Sequence, residues 1–454
     1  MTKSVQKENI NKRANRSYAW VFFGQISTQV IRLVSNLIMT RILVPEMFGI
    51  MSLVYVFISG ASMMSDIGLR ANIIQSKNSE SKNFLNTAWT IQLLRGCLIY
   101  LILCSIAFTL YIMVNSGILS MDSTYSNKQL PLIIVATGLA TVINSFNSIS
   151  LELMYRNVQI KNVTLIELLS QIVGIFSMLI VAIFWKDIWV LVIAAISASI
   201  VKLYLSYRLT DGYVARFEID NKSWLEIFNF GKWIFIGSLL GFMLGNGDRI
   251  ILANYLSAEM LGIYSIAFLL AGACKDTMKK LINNVMYPVL SEITRADPEQ
   301  AKITYYNLRL KVDFVTMSTA GFLLATGSLI INILYDSRYQ EAGWMLEVLS
   351  ISLIFVGYGM AGAFLMARGD SKSYSVMIFA SVIVLFTFLP LAYHHFGIHG
   401  AVLAIALNQA IDIPVTFYYL KKQKILVFYR EIMMLPAFPA AYFLGHFLTT
   451  KLSQ

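Results

Sequence analysis

The chain has 454 residues, 57% of them hydrophobic and only 13% charged, with a mean hydropathy of +0.65. That composition excludes a soluble globular protein. Apolar runs of about 20 residues, each long enough to cross a hydrocarbon core of roughly 30 Å, point to an all-α polytopic membrane protein, and they lack the two-residue alternation of a β-barrel. The net charge of +11 fits basic loops on one side of a membrane better than a nucleic-acid partner.

Lys3, Lys7, Lys12, Arg13 and Arg16 precede the first apolar run, which is too long and polar for a signal peptide and lacks a small-residue cleavage site. It predicts a first transmembrane helix over 18–43. Further helices are predicted at 48–68, 84–114, 130–151, 163–185, 188–207, 230–254, 258–274, 312–335, 342–367, 373–393, 398–420 and 431–450, thirteen in all. Basic residues gather on the segments that share a side with the N-terminus, seven of them between Lys275 and Lys311. Only Arg41, Lys128, Lys186, Arg338 and Lys451 fall on the other side, so the N-terminus is expected in the cytoplasm. Trp185 and Trp189 flank an outer turn, and Trp20 and Trp233 sit near inner helix ends, as interfacial rings do. The stretch 275–311 reads as the one sizeable polar insertion, with Lys279-Lys280 and Asp297-Pro298 punctuating two helical pieces.

Shifting the sequence by 213 residues lays Leu43–Leu53 over Leu256–Ile266 with six identities in eleven positions, and Gly24 over Gly237. Both segments occupy an outer turn between paired helices. The offset of six helices predicts two parallel six-helix bundles related by a pseudo-two-fold axis along the membrane normal, with a central cavity. The expected organisation is a cytoplasmic segment 1–17, a bundle 18–208, a cytoplasmic linker 209–229, a second bundle 230–420 and an extra hydrophobic segment 421–454.

The segments TRILVPEMFGIMSLVYVFISGASMMSDIGLRANIIQ (40–75), GNGDRIILANYLSAEMLGIYSIAFLLAG (245–272) and YPVLSEI (287–293) resemble the lipid-linked oligosaccharide flippase branch of the multidrug/oligosaccharidyl-lipid/polysaccharide exporter superfamily, over residues 17–420. The resemblance implies a bacterial inner-membrane protein that moves undecaprenyl-pyrophosphate-linked repeat units from the cytoplasmic to the periplasmic leaflet for O-antigen, capsule or exopolysaccharide synthesis. It implies roughly 12 to 14 helices; with thirteen counted, either 431–450 does not fully span or a further pair is shortened. A polysaccharide polymerase and a chain-length regulator are its implied partners, beside membrane lipids and the lipid-linked oligosaccharide itself.

Arg32 stands midway along the first helix, where an arginine costs about 2.5 to 3.5 kcal/mol unless it faces protein, water or a ligand. Gln25, Gln29, Arg32 and Asn36 share its face at helical spacing. Tyr55, Ser59, Ser62 and Asp66 form a second such stripe, and Thr137, Thr141, Asn144 and Ser148 a third. These stripes are either walls of a hydrated cavity or hydrogen-bonding contacts between packed helices. A pyrophosphate needs several cationic donors, and arginine's planar fork suits its oxygens. Arg32, Arg95 and Arg249, with Gln29, Asn36 and Asn144, are therefore the candidate headgroup-binding residues. Arg95 has a second reading as a snorkelling residue, and Arg249 as the partner of a carboxylate on another helix. Asp66 and Asp248 are candidates for coupling transport to H+ or Na+, whereas Asp313, at a helix entrance, and Asp412, before Pro414, read as structural.

Lys275, Lys279 and Lys280 read as contacts to anionic lipid headgroups. His394, His395 and His399 are placed in an outer loop; His395 and His399 have zinc-pair spacing but no companion Cys or Glu, so neither a metal nor a cofactor is assigned. The chain carries no Gly-rich phosphate loop, His-Glu-x-x-His pair or Gly-x-Ser-x-Gly elbow. Without a large outer loop, an enzyme such as a polymerase is disfavoured. A multidrug exporter or a lipid II flippase is the alternative reading.

Overall fold

A computed structural model describes residues 3–66, 68–76, 78, 81–157, 159–210 and 213–452, and every regular element among them is helical. The side chains of Lys3, Lys7, Lys12, Arg13, Arg16, Gln25 and Trp233 lie outside the described residues. Met1–Phe242 form one compact unit and Met243–Gln454 another. Among the described residues nine helical stretches are long and apolar enough to cross a membrane, or ten if one bent pair counts as a span. This is a multi-pass membrane protein.

The N-terminal unit contains α1 (Lys3–Ile42), α2 (Pro45–Met64), α3 (Leu69–Gln75), α4 (Lys82–Asn115), α5 (Leu130–Ser145), α6 (Ser150–Arg156), α7 (Ile160–Phe184), α8 (Trp189–Arg208) and the first part of α9 (Asn221–Tyr255). The span expected at 130–151 is broken: α5 ends at Ser145 and α6 restarts at Ser150 after a 66° bend, so Ser148 drops out of the polar stripe and into the break. Ser148 helps to restart the chain as α6, its Oγ accepting from the Ser150 N–H at 3.3 Å. The Ser148 N–H donates to Ser206 Oγ at 3.0 Å, and Tyr207 and Gln92 take up carbonyls the bend releases.

Residues 213–220, ahead of α9, run as a strap along the start of α4 rather than as a free linker. Asn86 Oδ1 accepts from the Tyr213 hydroxyl (2.7 Å) and the Arg216 N–H (2.9 Å), while its Nδ2 donates to Glu218 (2.7 Å). Thr90 Oγ1 accepts from the Glu218 N–H and Thr87 Oγ1 from the Asp220 N–H. Helix side chains thus satisfy backbone groups that a sheet would otherwise pair. Asp220 then accepts from the Ser223 N–H and hydroxyl at the start of α9, which holds its carboxyl below the usual carboxylate range.

The C-terminal unit continues from α9 through α10 (Ala258–Leu281), α11 (Tyr287–Ala296), α12 (Pro298–Leu334), α13 (Ala342–Ser350), α14 (Val356–Ala367), α15 (Ser371–Leu407), α16 (Asp412–Lys422), α17 (Phe428–Ile432) and α18 (Ala437–Leu452). The polar stretch 275–311 is not a separate insertion. α10 runs through Lys279 and Lys280, a π turn over 282–286 leads into α11, and α12 begins at Pro298 rather than 312. Asp297 caps it, accepting from the Glu299 and Gln300 N–H groups at 3.0 and 3.1 Å. Hydropathy located only the apolar part of a longer helix. Consequently Asp313 is not at an entrance but four turns into α12, and Arg309 of the same polar stretch is fully buried. α15 joins two expected spans across Gly397, whose φ of +61° interrupts the helix. His394 and His395 precede that break and His399 follows it, stacked on Trp344 at 4.2 Å, so the three flank a short break where a loop was expected.

The repeat has a structural counterpart. α1 and α9 end at Ile42 and Tyr255, and α2 and α10 begin at Pro45 and Ala258, each pair at the 213-residue offset of the sequence match. Glu46 and Glu259 occupy the first turn of the two following helices, where a carboxylate complements the helix dipole.

Candidate functional site

A cavity of about 390 Å³ opens within the N-terminal unit around the α5–α6 break. Non-helical backbone at membrane depth is tolerated where it is buried in protein or lines a polar cavity, and here it does the latter. Gln92 of α4 makes the break possible: its Nε2 donates to the carbonyls of Ser145 (2.8 Å) and Asn147 (2.9 Å), which have lost their helical donors. Next to it, Gly96 lets α4 close on α5, since a Cβ there would stand 2.2 Å from that of Ser145.

Three cations reach this cavity: Arg70 from α3, Arg95 from α4 and Lys202 from α8. Arg95 is anchored at the end of α2. Its Nη2 donates to the Ser62 carbonyl at 2.8 Å, its Nε to Ser65 Oγ at 3.2 Å, and its Nη1 lies 3.8 Å from Asp66. The arginine therefore closes the C-terminus of α2, where a cation is favoured, while its half-buried guanidinium edge borders the cavity. Asp66 also accepts from the Gly68 N–H at 3.0 Å, fixing the turn after α2. Arg70 forms a two-pronged pair with Glu152, Nε to Oε2 at 2.6 Å and Nη2 to Oε1 at 3.1 Å, and lies 4.1 Å above the Tyr155 ring. The Tyr155 hydroxyl donates in turn to Glu167 at 3.2 Å. These bonds with Glu152 raise the Arg70 pKa against the burial that would lower it. Lys202 enters outside both pairs. Among the described residues Glu152 and Glu167 also line the cavity, and Asp66 stands behind Arg95, so Lys202 is the lining cation that neither ion pair holds.

Of the residues singled out in the sequence, Arg95 and Asn144 meet in this cavity, where the Asn144 amide donates to Ser199 Oγ at 2.9 Å. Arg32 is exposed on α1, within electrostatic reach of Tyr55, and Gln29 and Asn36 are half-buried on the same helix. Arg249 belongs to the C-terminal unit, where no carboxylate meets it among the described residues. It lies 4.1 Å above the Phe268 ring and donates to Asn246 at 3.4 Å. Its neighbour Asp248 turns away and accepts from the buried Tyr264 hydroxyl at 2.5 Å. Asp412, also buried, accepts from Ser381 Oγ at 2.7 Å.

Sequence reading passed over Arg70, Gln92, Glu152, Tyr155, Glu167 and Lys202. Lys202 and Glu167 lie within expected spans, so the rule that an intramembrane charge marks a site was enough to find them. Arg70 and Glu152 sit at helix ends, and only the fold brings them together.

A sequence profile described as polysaccharide biosynthesis protein matches residues 38–344. The lipopolysaccharide biosynthesis protein WzxC of Escherichia coli (strain K12) is 21% identical over 449 residues, covering 96% of this chain and 88% of that protein. Among solved structures, the lipid II flippase MurJ in an inward closed conformation aligns with a TM-score of 0.66 at 13% identity, over 96% of this chain and 99% of MurJ. An inward-facing multidrug resistance transporter of the MATE family aligns with a TM-score of 0.64 at 15% identity, over 87% and 94%. The fold is that of these transporters.

Proposed function

Because the chain belongs to the polysaccharide biosynthesis protein family, we propose that it is a flippase that carries lipid-linked oligosaccharide repeat units across a bacterial inner membrane, from the cytoplasmic to the outer leaflet. It is a transporter and not an enzyme, in keeping with its relatives and structural neighbours. The observation that carries the substrate class is the cavity at the broken α5–α6 helix, where Arg70, Arg95 and Lys202 stand beside the uncharged donors Gln92, Asn144 and Asn147. Cations suit a pyrophosphate, and amides and hydroxyls suit sugar hydroxyls. The polyprenyl tail stays in lipid while the polar head uses the cavity. An organic-cation exporter, the reading that the multidrug-transporter likeness would suggest, calls for a surplus of acids and aromatics, which the cavity does not have.

In this reading Arg95 and Asn144 contact the headgroup at this cavity, Gln29, Arg32 and Asn36 line its route along α1, and Arg249 offers a second anion contact in the C-terminal unit. Asp66 and Asp248 are the coupling carboxylates for H+ or Na+. The N-terminus is cytoplasmic, and a polymerase and a chain-length regulator take up the product.

The test is reconstitution of the full chain into proteoliposomes loaded with an undecaprenyl-pyrophosphate oligosaccharide, with lectin detection of the flipped head. Wild type is expected to move it, and Arg32→Ala to lose most of that movement with partial recovery in Arg32→Lys. Export of an organic cation with no movement of lipid-linked sugar would overturn the substrate class. Undiminished flipping by Arg32→Ala would remove α1 from the route.

A further inference from the structure

Outside the proposed headgroup site, the C-terminal unit seals three charged side chains together. Arg309, Asp313 and Glu431 are 0%, 1% and 1% exposed. Arg309 Nε donates to Asp313 Oδ2 at 3.2 Å one turn along α12, and its Nη1 meets Glu431 Oε2 from α17 in an ion pair. Nη1 also donates to the Tyr305 hydroxyl at 2.8 Å, and the guanidinium lies 4.4 Å above the Tyr358 ring of α14. The Tyr306 hydroxyl donates to Glu431 Oε1 at 3.0 Å and accepts from the Val427 N–H at 2.8 Å.

Two carboxylates thus share one guanidinium in a sealed interior, and fully ionised they would leave an uncompensated negative charge. Among the described residues no cation besides Arg309 is recorded against Asp313 or Glu431. α10, α11 and α16 contribute Cys274, Met278, Leu290, Tyr419 and Leu420 to the surrounding core, and α14 contributes Tyr358. Arg430 of α17 stands across the Tyr306 ring, 5.7 Å from its centre, and bonds to the Tyr429 hydroxyl.

The two acids are not equivalent. Glu431 Oε1 accepts from the Tyr306 hydroxyl, and its Oε2, though without a hydrogen bond, is held against Arg309 as an ion pair. Asp313 Oδ1 has no hydrogen-bond partner and is pressed against α14, so close that a Cβ added to Gly357 would stand 1.7 Å from it. Burying an ionised carboxylate with a bare oxygen costs far more than burying a neutral carboxyl in the same place. We propose that the Arg309–Asp313–Glu431 cluster is a proton-binding site, in which Asp313 carries one exchangeable proton while Glu431 stays ionised against Arg309.

Proton release from Asp313 would put a net negative charge into the core and weaken the hold of α12 and α14 on the segment that carries Glu431. The bound proton is therefore linked to docking of α17. This inference does not depend on the identity of the transported substrate.

The experiment is infrared spectroscopy of the purified full chain in nanodiscs, with melting curves across pH, for wild type, Asp313→Asn and Glu431→Gln. Each variant leaves a one-to-one ion pair, so both are expected to fold, and either alone suffices. Wild type should show a protonated-carboxyl band at neutral pH that both variants lack. A carboxyl protonated in the folded state and ionised in the unfolded state has a raised folded pKa, so its stabilisation is complete at low pH and fades as pH rises. The wild-type folding equilibrium should therefore fall by about tenfold per pH unit relative to either variant, between about pH 6 and the folded pKa. Carboxyl bands and pH slopes indistinguishable between wild type and variants would overturn the proposal.

Discussion

In the N-terminal unit, Arg70 and Arg95 meet carboxylates at the edge of a cavity, with side chains 54% and 27% exposed, whereas Arg309 in the C-terminal unit meets two carboxylates with every partner at 2% or less. Arg70 grips one carboxylate with two bonds, Arg95 approaches its own at 3.8 Å, and Arg309 gives one arm to each of two, but it is burial that sets the energetics apart. Water screens the first pairs, so each adds little to stability and can be exchanged for another anion at small cost. Desolvation has already been incurred in the second set, and removing the shared Arg309 leaves both acids without a cation. Charges that exchange partners suit a ligand site, and charges that cannot are confined to holding the fold or a proton.

The largest effect that would test this contrast is Arg309→Leu. It strands two buried acids, and the cost is expected at about 3 to 5 kcal/mol, seen as loss of the monodisperse peak and a sharply lower melting temperature in detergent. A mild effect would place water in a cluster that the structure shows sealed. Next is Asn86→Ala, which removes three hydrogen bonds between α4 and the strap and leaves the Arg216 N–H without its acceptor. About 1 to 3 kcal/mol is expected, with faster amide exchange confined to residues 213–220. Exchange that rises throughout α4 instead would show that the strap is part of the core rather than laid upon it.

How much of this was legible in the sequence differs between the two units in the same way. Apolar runs located helical stretches, nine or ten of which are long and apolar enough to span among the described residues against thirteen expected, and the 213-residue match located two equivalent turns, because both signals are local. The intramembrane Arg95 and the Asn144 stripe announced a polar wall, and both meet in one cavity. The Arg309 cluster was hidden because hydropathy assigns Arg309 to a polar stretch, although α12 begins at Pro298 and buries it. Its partner Glu431 is 122 residues away in the chain, beyond the reach of any periodicity. The break after Ser145 was equally invisible, since it depends on Gln92 and Tyr207 from other helices to satisfy the freed carbonyls.

A smaller effect on stability is expected from Glu152→Gln, which removes the anion opposite Arg70 without changing its shape. With Arg70 half exposed, the loss should stay within about 1 kcal/mol, while the cavity becomes more positive by one charge. If the cavity takes the pyrophosphate, freeing Arg70 from Glu152 should let initial flipping rates at low substrate hold or rise rather than collapse. A collapse at unchanged stability would mean that the Arg70–Glu152 pair must form and break during the cycle, which makes it a gate instead of a lining.

The smallest stability effect, and the sharpest separation of the two units, is expected from Lys202→Met. Lys202 stands on α8 outside both ion pairs of the cavity, so methionine keeps the apolar stem and removes only the ammonium. The melting temperature should hold or rise slightly, because no partner is left unsatisfied. Flipping should nevertheless weaken in the binding step, with a higher apparent KM for the lipid-linked sugar and a smaller change in the maximal rate, as loss of uniform binding requires. The corresponding change in the sealed cluster, Arg309→Met, keeps a stem of similar length yet is expected to unfold the C-terminal unit. Should Lys202→Met destabilise the protein as strongly, the cavity would be a structural ion network like the Arg309 cluster, and the headgroup would have to be bound by the exposed Arg32 face of α1.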